Sequence, residues 1–271
     1  MKTSRVRIIL ALAAIGACVL SVPGARAQAD ETISTQEVAE MMSDPAAKLI
    51  LFNAAYRAYR DVGPTDETLQ ELRLNGAGYL TLRDKSALLY RAYLPLYSAD
   101  LPGNDEGVGD AVLSAYWAPT AGDLVLGYGG ALMMPTASED YFGMDKWSAG
   151  PTLVIAKKLP GKCTFGGLVT HVWSFAGNDA REDVSLTTIQ PAVVYFLTQV
   201  GTSLTWTSET THDWKAEQDG WQVPMTLVLE QVLPPIVGMY PTLSVGGSAY
   251  VVKPEYAQEW DIRGTVSLVI P

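Results

Sequence analysis

From residue 48 to the C-terminus, hydrophobic and polar residues alternate with a period of two, which is the period of a β-strand with two different faces. In residues 69 to 82, Leu72 and Leu74 fall on one face, and Glu71 and Arg73 fall on the other. The sequence predicts twelve such strands, at about residues 48–59, 69–82, 86–96, 110–118, 123–134, 146–157, 164–175, 185–198, 202–213, 221–233, 242–252 and 259–270.

The length of these segments favours strands that cross a membrane. A strand in a soluble protein has about five or six residues, whereas a tilted strand that spans a bilayer needs about nine to eleven. Most of the twelve segments reach or exceed the longer value. Alternation alone also fits a β-sandwich with its apolar face inward, so periodicity by itself leaves both architectures open.

The connections between the segments separate the two architectures. Taken in order, the odd-numbered connections carry most of the acidic loop residues, and the even-numbered ones carry only Asp84 and Asp123. The acidic residues of the odd set are Asp61, Asp66, Glu67, Asp100, Asp105, Glu106, Glu139, Asp140, Asp145, Asp179, Glu182, Asp183, Glu217, Asp219 and Glu255. Alternate connections of an up-and-down barrel lie at opposite ends. This asymmetry therefore favours an all-β, antiparallel up-and-down transmembrane β-barrel of about twelve strands, with longer loops outside and short turns in the periplasm.

The first 27 residues have the features of a secretory signal peptide. Basic residues come first, an apolar stretch from Ile8 to Val22 follows, and Ala25-Arg26-Ala27 forms a small-x-small cleavage site. The alternative is a lipoprotein signal, because Ile15 to Cys18 loosely fits a lipobox. A cleaved signal peptide implies export, and together with the barrel it predicts localisation in the outer membrane.

Residues 28–47 form a separate periplasmic segment that precedes the barrel of residues 48–271. Val38, Met41 and Met42 share one side of a short amphipathic helix, and Pro45 ends it. We expect either a narrow pore or a barrel partly obstructed by this N-terminal segment, since twelve strands lie between a filled eight-stranded barrel and an open porin.

Composition and charge exclude several classes of function. The chain has 19 basic and 29 acidic residues and a net charge of −10, so it repels nucleic acid. Two His and two Cys leave little material for a zinc site, which needs about four N or S ligands, and no metal or cofactor is predicted. Cys163 alone remains after cleavage at residue 27, so no intramolecular disulfide is expected.

Several blocks resemble the phenol-degradation meta-pathway outer-membrane family, whose members are also labelled neuromedin U or "transporter". The blocks are GVGDAVLSAYWAP from Gly107, KWSAGPTLVIAKK at 146–158, residues 166–195, LTWTSETTHDW at 204–214, WQVPMTLVLEQV at 221–232 and EWDIRGTVSLVIP at 259–271. The most specific parts are His-x-Trp-Ser-x-Ala-Gly from His171 and Thr-x-x-Gln-Pro from Thr187. The resemblance covers about residues 110–271 and implies an outer-membrane barrel that admits small hydrophobic or aromatic molecules. Residues 48–106 match only in outline, and Pro271 replaces the usual aromatic last residue.

Enzyme activity is not predicted. A barrel hydrolase needs a Ser and a His side by side, but His171 and Ser174 are three positions apart on one strand and face opposite sides. His212 has only Thr210 near it on the same face. Both histidines are expected to make hydrogen bonds at the interface or in the lumen.

Charged residues on the polar faces of the strands are the candidate pore-lining residues, because Arg or Lys facing lipid at the midplane costs about 2–4 kcal/mol. The candidates are Arg57, Glu71, Arg73, Arg91, Glu209, Glu230 and Arg263. The four arginines come from the first three strands and the last one, which are neighbours in a closed barrel, so they would form one basic wall. The alternative is that arginines and glutamates pair across the interior as structural groups.

These features predict passive uptake of a small solute through an outer-membrane barrel. The expected partners are outer-membrane lipid, lipopolysaccharide, the barrel-assembly machinery and the solute. A structural or adhesive surface barrel is the second interpretation, and a soluble periplasmic β-barrel binding protein is the third.

Overall fold

The computed structural model describes residues 33–45, 47–63, 67–82, 86–99, 105–119, 124–217, 219–255 and 257–271. The predicted signal peptide of residues 1–27, including Cys18, lies outside the described residues, as do Asp66, Asp84, Asp100 and Asp123. Cys163 is a free thiol.

The chain forms a closed antiparallel β-barrel of twelve wall strands, as the sequence predicts. The strand segments are β1 Ile50–Val62, β2 Glu67–Thr81, β3 Ala87–Ala99, β4 Asp105–Val108, β5 Ala111–Ala118, β6 Leu124–Met134, β7 Lys146–Leu159, β8 Cys163–Gly177, β9 Ser185–Phe196, β10 Thr202–Thr207, β11 Thr210–Asp213, β12 Trp221–Val232, β13 Tyr240–Val252 and β14 Trp260–Ile270. Each of the twelve wall strands pairs with its two neighbours, and the barrel closes where β1 pairs with β14 over Ile50↔Ile270 to Arg60↔Trp260.

Two of the wall strands are interrupted. β4 and β5 both pair with β3, and the register shifts by one residue at Gly109-Asp110, which makes a β-bulge. β10 and β11 together pair with β9 and β12, and the register is the same on both sides of the break at residues 208–209. Residues 105–108 were expected in a connection because of their acidic and glycine-rich sequence, but they extend the wall through pairing with β3.

The outer face of the barrel is apolar. Leu72 on β2 and Ile262, Val266 and Leu268 on β14 are exposed, whereas Glu71 and Asp261 on the alternate positions are buried. The alternation read from the sequence therefore gives the correct face in both strands. An apolar outer face and a polar interior are the arrangement of a barrel that lies in a bilayer.

The two ends of the barrel differ. We call the end at which β1 begins and β14 ends the terminal end, and the opposite end, at which the acidic connections lie, the loop end. Five of the seven Trp residues of the chain lie in or beside strand ends at the loop end: Trp147, Trp173, Trp214, Trp221 and Trp260. Trp side chains at this level form the aromatic girdle typical of a membrane interface.

The helix α1, Thr35–Met42, lies in the terminal end of the barrel. Ser34 caps it, because the Ser34 hydroxyl accepts a hydrogen bond from the Glu37 N–H and the Glu37 carboxylate accepts one from the Ser34 N–H. Val38 is 0% exposed. It belongs to a cluster with Ala39, Phe196, Val232, Tyr240 and Val269. The helical N-terminal segment is thus confirmed, and its apolar side packs on the inner wall.

Candidate functional site

Four of the seven charged residues predicted from strand parity, Arg57, Glu71, Arg73 and Glu209, meet inside the barrel. Arg57 lies opposite Glu71 on β2 and opposite Arg263 on β14, so these three side chains share the inner face of adjacent strands. Arg73 lies two residues along β2 from Glu71 on the same face. The topology therefore places arginines and a glutamate of the predicted pore-lining residues at one level of the wall.

Glu209 enters the lumen from the opposite wall. It lies between β10 and β11, where Pro191 of β9 and Pro224 of β12 flank the break in the ladder. A proline has no N–H and cannot complete the ladder there. The register is unchanged across the break, so side chains keep alternating and Glu209 points inward, as the sequence predicts.

A network of four charged side chains crosses the lumen; we call it the transverse network and define it as Arg57, Glu71, Arg73 and Glu209. Glu209 accepts from Arg57 Nη1 at 3.2 Å and from Arg73 Nη1 at 3.1 Å. Arg73 Nε also donates to Glu71, whose side chain is 0% exposed. Because β12, β13 and β14 separate β10 and β11 from β1, these ion pairs join distant parts of the wall.

The transverse network is electrically balanced, with two guanidinium groups and two carboxylates. Tyr59 also donates its hydroxyl proton to Glu71, so this buried carboxylate has both cationic and neutral donors. Removing one partner from a buried ion pair leaves an uncompensated charge and typically costs about 3–5 kcal/mol. This cost applies to the pair of Glu71 and Arg73 on β2, whereas the pairs that connect opposite walls run through Glu209, whose side chain is 30% exposed.

The other predicted charges divide into paired and unpaired groups. Arg263 pairs with the buried Asp261 at 2.7 Å and donates to Ser248. In contrast, the side chains of Arg91 on β3 and Glu230 on β12 make no hydrogen bond or ion pair with any residue that the structure describes. The four arginines lie on neighbouring strands, as expected, but three of them form ion pairs with carboxylates. Their role as pore-lining residues stays a prediction.

Residues 135–145, which connect β6 and β7 at the loop end, fold against the wall. Asp110, at the β-bulge, accepts hydrogen bonds from the backbone N–H groups of Ala137 at 3.1 Å and Met144 at 2.7 Å. The Phe142 ring stacks on Tyr97 with centroids 5.0 Å apart. Since Tyr97 lies opposite Glu71, the connection narrows the lumen on the loop side of the transverse network.

The alternation of residues along β3 marks Tyr93 and Tyr97 as inward-facing, although neither was among the predicted pore-lining residues. Tyr93 and Tyr97 follow Arg91 at even spacing on β3 and therefore share its face. The contact of Phe142 with Tyr97 depends on the path of a long connection, for which the sequence offers no periodic signal.

The histidines belong to a cluster on the outer face at the loop end. His171 Nδ1 is 2.7 Å from the Thr187 hydroxyl, which also accepts a hydrogen bond from Trp214. The His212 ring stacks on Trp221. Ser174 donates to Asp183 instead of contacting His171. The described residues thus contain no Ser and His pair at either histidine.

Among the described residues, no three His, Cys, Asp or Glu side chains are grouped so that they could hold a metal ion. Within the same part of the chain, no helix is long and apolar enough to cross a membrane.

No protein-family model matches the chain, and no curated protein is similar to it in sequence. Solved structures do share the fold. An outer membrane channel from Pseudomonas putida F1 has a TM-score of 0.62 at 15% identity, over 92% of this chain and 99% of that chain. The NanC porin has a TM-score of 0.52 at 10% identity, over 82% of this chain and 99% of that chain. This chain therefore has the fold of an outer-membrane β-barrel channel.

Proposed function

We propose that this protein is an outer-membrane channel that takes up small solutes, including hydrophobic or aromatic ones, by passive diffusion. The observation that carries the proposal is the division of the wall into an apolar outer face and an inner face with charged and aromatic side chains. A barrel with this division places a polar path through an apolar bilayer.

The transverse network and α1 make the path narrow. Both occupy the interior, the first between opposite walls and the second at the terminal end. A narrow path suits small solutes and selects them by contact with its walls. Outer-membrane lipid and lipopolysaccharide surround the barrel in this proposal, and the barrel-assembly machinery inserts it.

Planar-bilayer recording of the purified full chain tests the proposal. We expect discrete conductance steps whose reversal potential changes with the KCl gradient. Fractionation of cells provides the companion measurement, and we expect the protein in the sarkosyl-insoluble outer membrane with heat-modifiable mobility on gels. A barrel in that fraction without any conductance would support the structural or adhesive alternative, and recovery in the periplasmic fraction would support a soluble binding protein.

A further inference from the structure

The inner face of β3 carries a row of ring-shaped side chains that ends in an arginine. Arg91, Tyr93, Pro95 and Tyr97 face the lumen, because their partners on β2 are Ala77, Asn75, Arg73 and Glu71 in that order. Three consecutive inward positions thus carry flat or ring-shaped side chains, and a guanidinium stands at their terminal end.

Two of the rings in this row make further contacts with neighbouring side chains. Phe142 stacks on Tyr97 with an interplanar angle of 20° at the loop end. At the level of the transverse network, the Arg73 guanidinium lies 5.0 Å from the centroid of the Tyr93 ring. Aromatic rings stack favourably on other rings and on guanidinium planes. Phe142 and Arg73 thus each cover one ring of the row, while Tyr93 stays partly exposed.

Arg91 is the arginine of this wall that has no carboxylate partner among the described residues. A guanidinium binds a carboxylate through two parallel N–H donors. Glu209 supplies such a carboxylate to Arg57 and Arg73 from inside the chain, whereas no described carboxylate lies within ion-pair distance of Arg91. An unpaired cation in a narrow lumen attracts an external anion strongly, because the local dielectric constant is below that of water.

We infer that the inner face of β3 binds aromatic carboxylates, with the ring on Tyr93 and the carboxylate on Arg91. This inference rests on the proposed channel function and names a solute class for it. The acidic connections of the loop end lower the local concentration of anions. Selection of an aromatic anion must therefore come from short-range contacts inside the lumen, which the aromatic row and Arg91 provide.

The experiment compares benzoate, acetate and benzyl alcohol as blockers of the KCl current through the purified full chain. Benzoate offers both ring and carboxylate, and each of the other two lacks one of these groups. We expect benzoate to block at the lowest concentration. Arg91→Gln should raise its half-blocking concentration at least about tenfold, since a charge-assisted hydrogen bond is lost.

Two further variants separate the contributions of ring and charge. Tyr93→Leu should weaken block by benzoate and leave block by acetate unchanged. Lys157→Gln removes a positive charge from the outer face near the terminal end, where Lys157 lies opposite Leu124 and Phe165. It should change neither the block by benzoate nor the block by acetate. Equal block by benzoate and acetate in the wild type, or an Arg91→Gln variant that behaves like Lys157→Gln, would overturn the inference.

Calorimetric titration of benzoate into the detergent-folded protein distinguishes the two proposals. Binding that Arg91→Gln weakens, in a protein that conducts no current, would contradict the channel function and support the benzoate site. Conductance without benzoate binding or block would support the channel and contradict the site.

Discussion

Glu71 shows how a charged residue is accommodated inside this barrel. Its carboxylate is fully buried, and it accepts from the Arg73 guanidinium and the Tyr59 hydroxyl. Arg57 lies within 3.8 Å of the same carboxylate. The energetic penalty of burying this charge is offset by one opposite charge on the same strand, Arg73, and one on the adjacent strand, Arg57. The charged side chains on the inner faces of β1 and β2, Arg57, Glu71 and Arg73, therefore each lie beside an opposite charge.

Glu209→Gln tests the electrical balance of the transverse network. The variant leaves two guanidinium groups with only Glu71, so the constriction becomes positive and repels cations. We expect the barrel to insert, its midpoint of unfolding in urea to fall, and its permeability ratio to shift towards anions by about threefold or more. Reversal potentials in a KCl gradient measure the shift.

Glu217→Gln is the matched control for that variant. It makes the same chemical change at an exposed position in the β11–β12 connection. Its selectivity should differ little from the wild type. A selectivity of Glu209→Gln equal to that of Glu217→Gln would mean that ions do not pass the transverse network.

Among the elements, the strands are the part that sequence reasoning predicts best. β2 and β14 alternate without interruption, so their lipid and lumen faces follow from parity. The position of Glu209 follows from the same rule, because the break in the ladder leaves the register unchanged. The contact of Arg57 with Glu209 does not follow, since it depends on the closed barrel bringing two distant strands within reach.

Leu72→Arg tests the outer face of β2. Leu72 is exposed near the middle of the strand, where an arginine in contact with lipid costs about 2–4 kcal/mol of the free energy of unfolding. Leu82→Arg, at the terminal end just after β2, should cost only about 0–1 kcal/mol because the side chain reaches the interface. Urea unfolding in lipid vesicles measures the free energy of unfolding of both variants. Equal losses in the two variants would show that Leu72 does not lie closer to the membrane midplane than Leu82.

Asp183, in the β8–β9 connection, makes the stability of the folded protein depend on pH. Lys146 at the start of β7, together with Ser174, donates a hydrogen bond to this carboxylate and lowers its pKa. A lowered pKa in the folded state stabilises the protein above the pKa of the unfolded state, and this contribution is lost as the pH falls below about 4. We expect Asp183→Asn to lower the urea midpoint at pH 7 but not at pH 3.

Asp179→Asn is the control in the same connection, because Asp179 is exposed and no described residue bonds to its side chain. It should leave the midpoint unchanged at both pH values. A loss of stability in Asp183→Asn that is the same at pH 3 and pH 7 would exclude the interaction with Lys146 as its cause.

At the scale of the whole molecule, the two ends differ in charge and in loop length. The loop end carries the acidic connections, whereas the terminal end carries both ends of the barrel and α1. Strand number predicts this arrangement, because an even number of strands returns the chain to the side on which it started. The folding of residues 135–145 against the wall could not be predicted, since loop paths are not periodic.

Single-cysteine labelling tests which end faces the outside of the cell. In a Cys163→Ser background, Ala216→Cys at the loop end should react with a membrane-impermeant maleimide on intact cells. Lys162→Cys, in the turn between β7 and β8 at the terminal end, should react only after lysis. The opposite pattern would invert the orientation of the barrel.

The position of α1 also sets the order of assembly. Its buried side packs on Val269 of the last strand, and Leu51 of the first strand contacts the same cluster. Phe196 and Val232 supply another part of this surface, but the part made by Val269 and Leu51 is complete only once β1 and β14 have paired. We therefore expect the earliest described residues of the chain to complete their native contacts only after the seam of the barrel has closed.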